Sequence, residues 1–288
     1  MGRPYYLEEC NPASGFVRPS KHTEEIVQEK SLTQSQNQDQ TWEAISKVPA
    51  VTLAFWIVKI FATTLGETAG DALSMSLKFG YLLSTVIFAV IFFAAVAVQI
   101  RAKKFHPVIY WITIIATTTV GTTLSDYCTR SEGLGYTYGS SLLLGLLVLS
   151  LFIWYRVEGT VSVTSVNTPR VEIFYWVTIM CSQTLGTALG DWMSDSMNLG
   201  YLGAAGIFGG ALAVVGALYF WTKISRTILF WAAFVLTRPL GAVVGDFLDK
   251  PHEQGGLDLS RFVASGVLIA LIALFLVLFR QKAAEKAH

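Results

Sequence analysis

The chain has 288 residues, 53% hydrophobic and 14% charged, with a formal net charge of +1. Soluble domains carry about a quarter charged residues, so this composition argues against a soluble fold. Near-neutral charge without a basic stripe argues against a nucleic-acid partner. The three cysteines, Cys10, Cys128 and Cys181, form no C-x-x-C pair and no ligand spacing, and read as small apolar fillers.

In chain order, residues 1–48 are polar and include the Gln-rich stretch Thr33 to Gln40. Such a segment buries too little surface to fold alone, so a disordered cytoplasmic tail is expected there. It does not resemble a cleavable signal peptide. Val48-Pro49 marks the start of a membrane domain expected over 49–280, with a second short cytoplasmic tail over 281–288. Within that domain lie eight apolar runs, at about 50–70, 81–100, 107–126, 136–155, 171–191, 201–221, 228–247 and 262–279. Each is long enough to cross a bilayer, which takes about 20 residues. Runs such as Tyr81 to Ile100 lack the polar face that a soluble helix needs. The expected fold class is all-α integral membrane, with eight transmembrane helices.

The runs are not independent. Phe55-Trp56, Tyr110-Trp111, Tyr175-Trp176 and Phe230-Trp231 each precede Gly66, Gly121, Gly186 and Gly241 by ten residues, counted from the Trp. Asp71, Asp126, Asp191 and Asp246 follow the same Trp residues by fifteen. Successive Asp residues within each half are 55 apart, and the halves are 120 apart. A fixed period with a fixed internal pattern signals tandem repeats, here at about 50–100, 107–156, 171–222 and 226–280. Each repeat is two helices, so all copies point the same way across the membrane. The Trp residues are expected in the cytoplasmic aromatic belt. Fifteen residues of helix rise roughly 22 Å, which puts the four Asp residues at one depth in the outer half of the membrane. Connectors ending in Gly80-Tyr81, Gly135-Tyr136 and Gly200-Tyr201, with Gly255-Gly256 in the fourth copy, are expected to end a helical turn in a left-handed conformation. Lys and Arg favour the Trp side by eleven to four, which places both termini in the cytoplasm. The opposite side collects Glu132, Asp195, Asp249, Glu253 and Asp258.

The pairs Gly66/Gly70, Gly121/Ser125, Gly186/Gly190 and Gly241/Gly245 follow the small-xxx-small pattern of closely packed membrane helices. Repeated in register, they predict that the odd helices form an inner bundle and the even ones a lipid-facing ring. Glu67 adds an acid one turn before Asp71, where the other copies have Thr122, Thr187 and Ala242. Two such carboxylates resist ionising together. Lys59 and Arg238 are the basic residues well inside apolar runs, leaving a surplus of three negative charges. Acids inside a membrane mark ion paths, proton relays or paired structural sites. One reading is therefore a cation-binding or proton-coupling site of Glu67, Asp71, Asp126, Asp191 and Asp246. Further oxygens would come from Thr63, Thr64, Ser74, Thr118, Thr119, Thr129, Thr184 and Ser194. An all-oxygen set suits a hard or borderline divalent metal such as Mn²⁺, Mg²⁺ or Ca²⁺, or protons. The other reading is structural, with the Asp residues capping connectors and Lys59–Glu67 and Arg238 in buried pairs. The expected function is a multi-pass cation transporter using this Asp ring, with a cation channel or a non-transporting sensor or scaffold as the alternatives. No cofactor is expected; the partners are the lipid bilayer and the cation. No G-x-S-x-G, H-E-x-x-H or P-loop points to an enzyme, and a membrane aspartyl dyad needs two acids, not four equivalent ones.

Four copies of aromatic–Trp, Gly-x-x-x-small-Asp and Gly-Tyr resemble a family of bacterial integral membrane proteins. That family is built of four tandem two-helix repeats of unknown function, each with a characteristic Trp. The resemblance covers about residues 50–280 and implies the repeat architecture and a bacterial inner membrane. It implies no substrate. The fourth copy departs most, with Arg238-Pro239 inside the helix and no Gly-Tyr.

Overall fold

A computed structural model describes residues 46–284, and the tail expected over 1–48 lies outside them up to residue 45. Among the described residues there are eight long helices and no strand beyond an isolated bridge between Pro49 and Ala283. They are α1 (Leu53–Asp71), α2 (Gly80–Arg101), α3 (Pro107–Asp126), α4 (Tyr136–Glu158), α5 (Pro169–Asp191), α6 (Gly200–Trp221), α7 (Arg226–Asp249) and α8 (Arg261–Leu278). Local chemistry sets their starts. The Thr52 and Thr168 hydroxyls accept from the N–H groups of Phe55 and Val171, and Pro107 and Pro169 occupy first-turn positions where no N–H is required. After Asp71, Asp126 and Asp191 the helix loosens into a single π turn, closed by Leu77, Glu132 and Met197 N–H groups on carbonyls five residues back. Gly80, Gly135 and Gly200 then take positive φ, as the Gly-Tyr steps predict. The fourth copy has no π turn, and α7 runs through Pro239 to Asp249.

Six of these helices are long and apolar enough to cross a bilayer: α2, α3, α4, α6, α7 and α8. The chain is a helical membrane protein. α1 and α5 fall short on apolarity because they carry Lys59, Glu67, Glu172 and Gln183, all buried. The odd helices pack in a closed ring, α1 on α3, α3 on α5, α5 on α7 and α7 on α1. Each even helix lies against the odd helix of the next repeat, and α8 closes the circle by packing on α1. Burial follows the same division. In their most apolar stretches α3 and α7 are 72% and 67% buried, against 11–17% for the even helices.

The repeat residues make the ring. The place of a Cβ at Gly121 lies 2.9 Å from Gln183 Cβ, at Gly186 2.5 Å from Arg238 Cβ, and at Gly241 2.5 Å from Thr63 Cβ. Gly66 faces Thr118 in the same way. Thr63, Thr118, Gln183 and Arg238 are equivalent positions, so each copy's first Gly receives one residue of the following copy. Gly70, Gly190 and Gly245 likewise receive Thr122, Ala242 and Glu67, the next equivalent set.

Ser125 is the one small residue of the set that is not a glycine. It is fully buried in α3, as a packing residue should be, yet it carries a Cβ and a hydroxyl where the other copies carry none. Its Oγ has no hydrogen-bond partner, and it is the Ser125 carbonyl that accepts, from the Thr129 hydroxyl at 2.8 Å. A buried hydroxyl left unpaired costs free energy instead of adding to the contact, so Ser125 fills space at this register without supplying a bond between helices.

The aromatic pairs repeat the cycle: Phe55 lies 5.5 Å from Trp111, Tyr110 5.8 Å from Trp176, Tyr175 6.3 Å from Trp231 and Phe230 5.8 Å from Trp56. This corrects the expectation of an aromatic belt. Trp111, Trp176 and Trp231 are buried and Trp56 partly so, because their rings join neighbouring inner helices instead of facing lipid. The Trp end is covered by chain: Ala50 N–H donates to Lys282 O, Ala284 N–H to Val48 O and Lys47 N–H to Val166 O. The described residues of both expected tails, 46–48 and 281–284, are thus bonded to the chain around them, and Lys47 pairs with buried Glu172.

Candidate functional site

At the end of the ring opposite the Trp residues, the four repeat Asp side chains converge, each buried to within 2%. Two basic side chains bridge them in pairs. Arg130, one turn after Asp126, lies 3.3 Å from Asp126 Oδ1 and 2.9 Å from Asp191 Oδ2. Lys250, one turn after Asp246, lies 3.1 Å from Asp246 Oδ1 and donates a short hydrogen bond to Asp71 Oδ2. Repeats two and three are tied by one bridge, four and one by the other. The same position is Met75 in the first copy and Asp195 in the third, so the two bridging bases alternate around a four-fold frame. Burial alone would pull the Lys250 pKa down, but the charges of Asp246, Asp71 and Asp249 outweigh it. The net shift is upward and the side chain stays an ammonium.

Asp71 is the hub. Its carboxylate joins two groups whose oxygens lie within 4.8 Å of one another, Glu67–Asp71–Asp126 and Asp71–Asp246–Asp249. Asp249 holds Arg261 at 2.9 Å, and Arg261 reaches to 3.9 Å from Asp71. Asp71 Oδ1 and Asp249 Oδ1 are buried without a hydrogen-bond partner. Two close, buried carboxylate groups sharing one residue can hold a hard cation, provided the resident ammonium and guanidinium groups give way. A cavity of about 530 Å³ reaches this layer, lined among others by Arg130, Asp195, Tyr201, Lys250 and Arg261.

One turn deeper, Arg238 crosses the ring. Its Nη2 donates to Glu67 Oε2 at 3.0 Å, to Thr122 Oγ1 at 2.6 Å and to Thr187 Oγ1. It thereby touches α1, α3 and α5 from α7, which puts the guanidinium on the ring axis. Thr122, Thr187 and Glu67 are equivalent positions, so the divergence at this register supplies one buried cation with three oxygens.

The four Asp residues and Glu67 are thus brought together, and the Arg238–Glu67 pair forms. Lys59 does not pair with Glu67; its Nζ has no hydrogen-bond partner and sits 4.0 Å from the Phe234 ring centre. The expected surplus of three negative charges is corrected. Arg130, Lys250 and Arg261, which read as loop charges, fold back onto the acids, while Asp249 is buried rather than solvated. The hydroxyls of Thr63, Ser74, Thr118, Thr119, Thr129, Thr184 and Ser194 donate to helix carbonyls. They serve helix packing and not the four repeat carboxylates, although Ser194 also lies within hydrogen-bonding distance of Asp195 Oδ1, at 3.2 Å. Sequence reasoning missed Arg130, Lys250 and Asp249 as site residues. The available signal was a basic residue four positions after the repeat Asp in every second copy.

A family model described as Repeat of Unknown Function (DUF347) matches the chain four times, over residues 54–105, 109–160, 174–225 and 229–284. No curated protein and no solved structure matches it.

Proposed function

We propose that this chain, which belongs to that repeat family, is a multi-pass carrier for a cation in a bacterial inner membrane, with both termini cytoplasmic. All eight helices cross in this reading. α1 and α5 can do so despite their polar residues because those residues face the ring interior, where polar groups are tolerated. The substrate is a hard or borderline divalent metal such as Mn²⁺ or Mg²⁺, with proton exchange at Glu67 as a coupling route. No residue constellation suggests an enzyme.

The observation that carries the reading is Asp71. It is the shared member of two buried carboxylate groups and keeps one oxygen unpartnered, directly behind Lys250 and Arg261, which line the cavity. Lys250 then acts as a built-in cation that fills the site when substrate is absent and swings into the cavity when it binds. Such exchange keeps the buried charge nearly constant, which matters where an unpaired carboxylate costs several kcal/mol. A channel draws less support, since the ring axis on the Trp side is occupied by buried Phe55, Tyr110, Tyr175 and Phe230. A scaffold is the second reading, favoured by the same bridges: Arg130 and Lys250 tie neighbouring repeats together and need no substrate to do so.

Uptake of Mn²⁺ and Mg²⁺ into proteoliposomes separates them. A carrier gives saturable uptake that falls about tenfold or more in Asp71→Asn, as loss of one ligand charge predicts. Monodisperse, folded protein that moves neither ion leaves the scaffold.

A further inference from the structure

The part of the ring axis between the aromatic layer and Glu67 contains polar atoms that the Asp site does not use. Lys59, Ser182, Gln183 and Arg238 are all fully buried. Lys59 Nζ, Ser182 Oγ, both amide atoms of Gln183, and Arg238 Nε and Nη1 have no hydrogen-bond partner. Their registers coincide. Gln183 and Arg238 are equivalent positions on the adjacent helices α5 and α7, and the place of a Cβ at Gly186, one turn beyond Gln183, is filled by Arg238. Lys59 lies one turn nearer the Trp end. Its Nζ rests over Phe234, one turn before Arg238 on the same helix. Thr63, one turn after Lys59, donates to Thr237 O at 3.2 Å, so α1 and α7 are in direct contact at this level.

Charge and donor count select the ligand. Two basic side chains stand here against Glu67, which is already engaged by Arg238 Nη2 and by the Thr122 hydroxyl. A proton kept on Lys59 would leave one positive charge over in a dry interior, where an unpaired charge is so costly that the side chain stays charged only with an anion beside it. The Phe234 ring offsets part of it. The remaining free groups are mostly N–H and O–H donors. The surrounding layer of Ile114, Ile179 and Phe234 is fully buried, which favours a compact and weakly hydrated ligand.

We propose that the inner ring holds a monovalent anion of halide size between Lys59 and Arg238, with the Gln183 amide and Ser182 hydroxyl completing its shell. The site shares Arg238 with Glu67 but uses none of the four repeat Asp residues, so it stands whether or not the protein carries a cation. Bound halide supplies the missing charge and locks α1, α5 and α7 together, which makes stability depend on the anion.

Thermal unfolding of the full chain in detergent tests this, in chloride or bromide against gluconate at equal ionic strength. Halide is expected to raise the melting temperature by roughly 2–8 °C, the range that saturable binding gives in a domain of this size. Lys59→Met should abolish the response. Gln183→Glu, which builds the negative charge into the site, should abolish it too while raising stability in gluconate. Should Lys59→Met fail to fold, Gln183→Glu decides alone. A parent protein indifferent to halide overturns the proposal, as does a halide response that survives undiminished in Gln183→Glu.

Discussion

At the residue scale the Asp end is a balance between four acids and two shared cations. Each bridge satisfies two carboxylates with one base, so removing a base strands two buried charges. Breaking a buried pair from one side costs about 3–5 kcal/mol, and Arg130→Met should lower stability by that order in any reading of function. Lys250→Met is more informative because its three neighbours, Asp71, Asp246 and Asp249, already form a metal-capable group. If Lys250 stands in for substrate, the variant should lose stability in chelator and recover it when Mn²⁺ is added, with a larger melting shift than the parent shows. An equal, small shift in both proteins would make these carboxylates structural. Glu67→Gln carries a parallel cost, since it leaves Arg238 with neutral partners only. The two acids of α1 therefore differ in role, Glu67 serving Arg238 and Asp71 serving Lys250.

At the element scale, much of the fold was legible in the chain. The apolar runs fall within a few residues of the eight helices, because membrane-length apolarity and the Pro and Thr caps are local signals. The small-xxx-small registers anticipated close contact between odd helices, since a missing Cβ matters only where another backbone arrives. What stayed hidden was which helix arrives, because the partner of each Gly lies in the next repeat. For the same reason the unpaired hydroxyl of Ser125 could not be foreseen from its being small. The Trp residues misled in a related way: a ring near a helix end suits lipid or a neighbouring helix equally well. Arg130 and Lys250 were hidden because a charge just past a membrane run reads as solvated until the chain is folded. The packing yields a graded prediction. A methyl group at Gly186 would meet Arg238 Cβ at 2.5 Å, while at Gly190 it would meet Ala242 Cβ at 3.2 Å and at Gly145 nothing within 4 Å. Gly186→Ala should therefore cost about 1–3 kcal/mol, as overpacking does, with Gly190→Ala milder. Gly145→Leu, on α4, should stay within about 0.5 kcal/mol. Chemical or thermal unfolding of the three variants ranks them. Equal losses at Gly186 and Gly145 would contradict the division into inner and outer helices.

At the scale of the whole molecule, parallel repeats give it two unlike ends. Every Trp pair lies at one and every repeat Asp at the other, so orientation decides which compartment the carboxylates serve. The Trp end carries Arg101, Lys103, Lys104, Arg156, Arg170, Lys223 and Arg226 in its loops and the adjoining helix ends. At the Asp end three of the four basic residues, Arg130, Lys250 and Arg261, are held in ion pairs with buried acids. That leaves Lys78, in a left-handed turn, as the basic residue there with no such pair. Retention of basic loops in the cytoplasm then predicts the Trp end inside and the Asp end outside. Single cysteines at Lys103 and Glu253, both exposed, test it in a background lacking the native thiols. An impermeant maleimide added to intact cells should label Glu253→Cys and spare Lys103→Cys until the membrane is opened. The reverse pattern would place the carboxylates on the cytoplasmic side. The cavity lined by Arg130, Lys250 and Arg261 would then take its ion from within the cell, and the proposed carrier would load as an exporter.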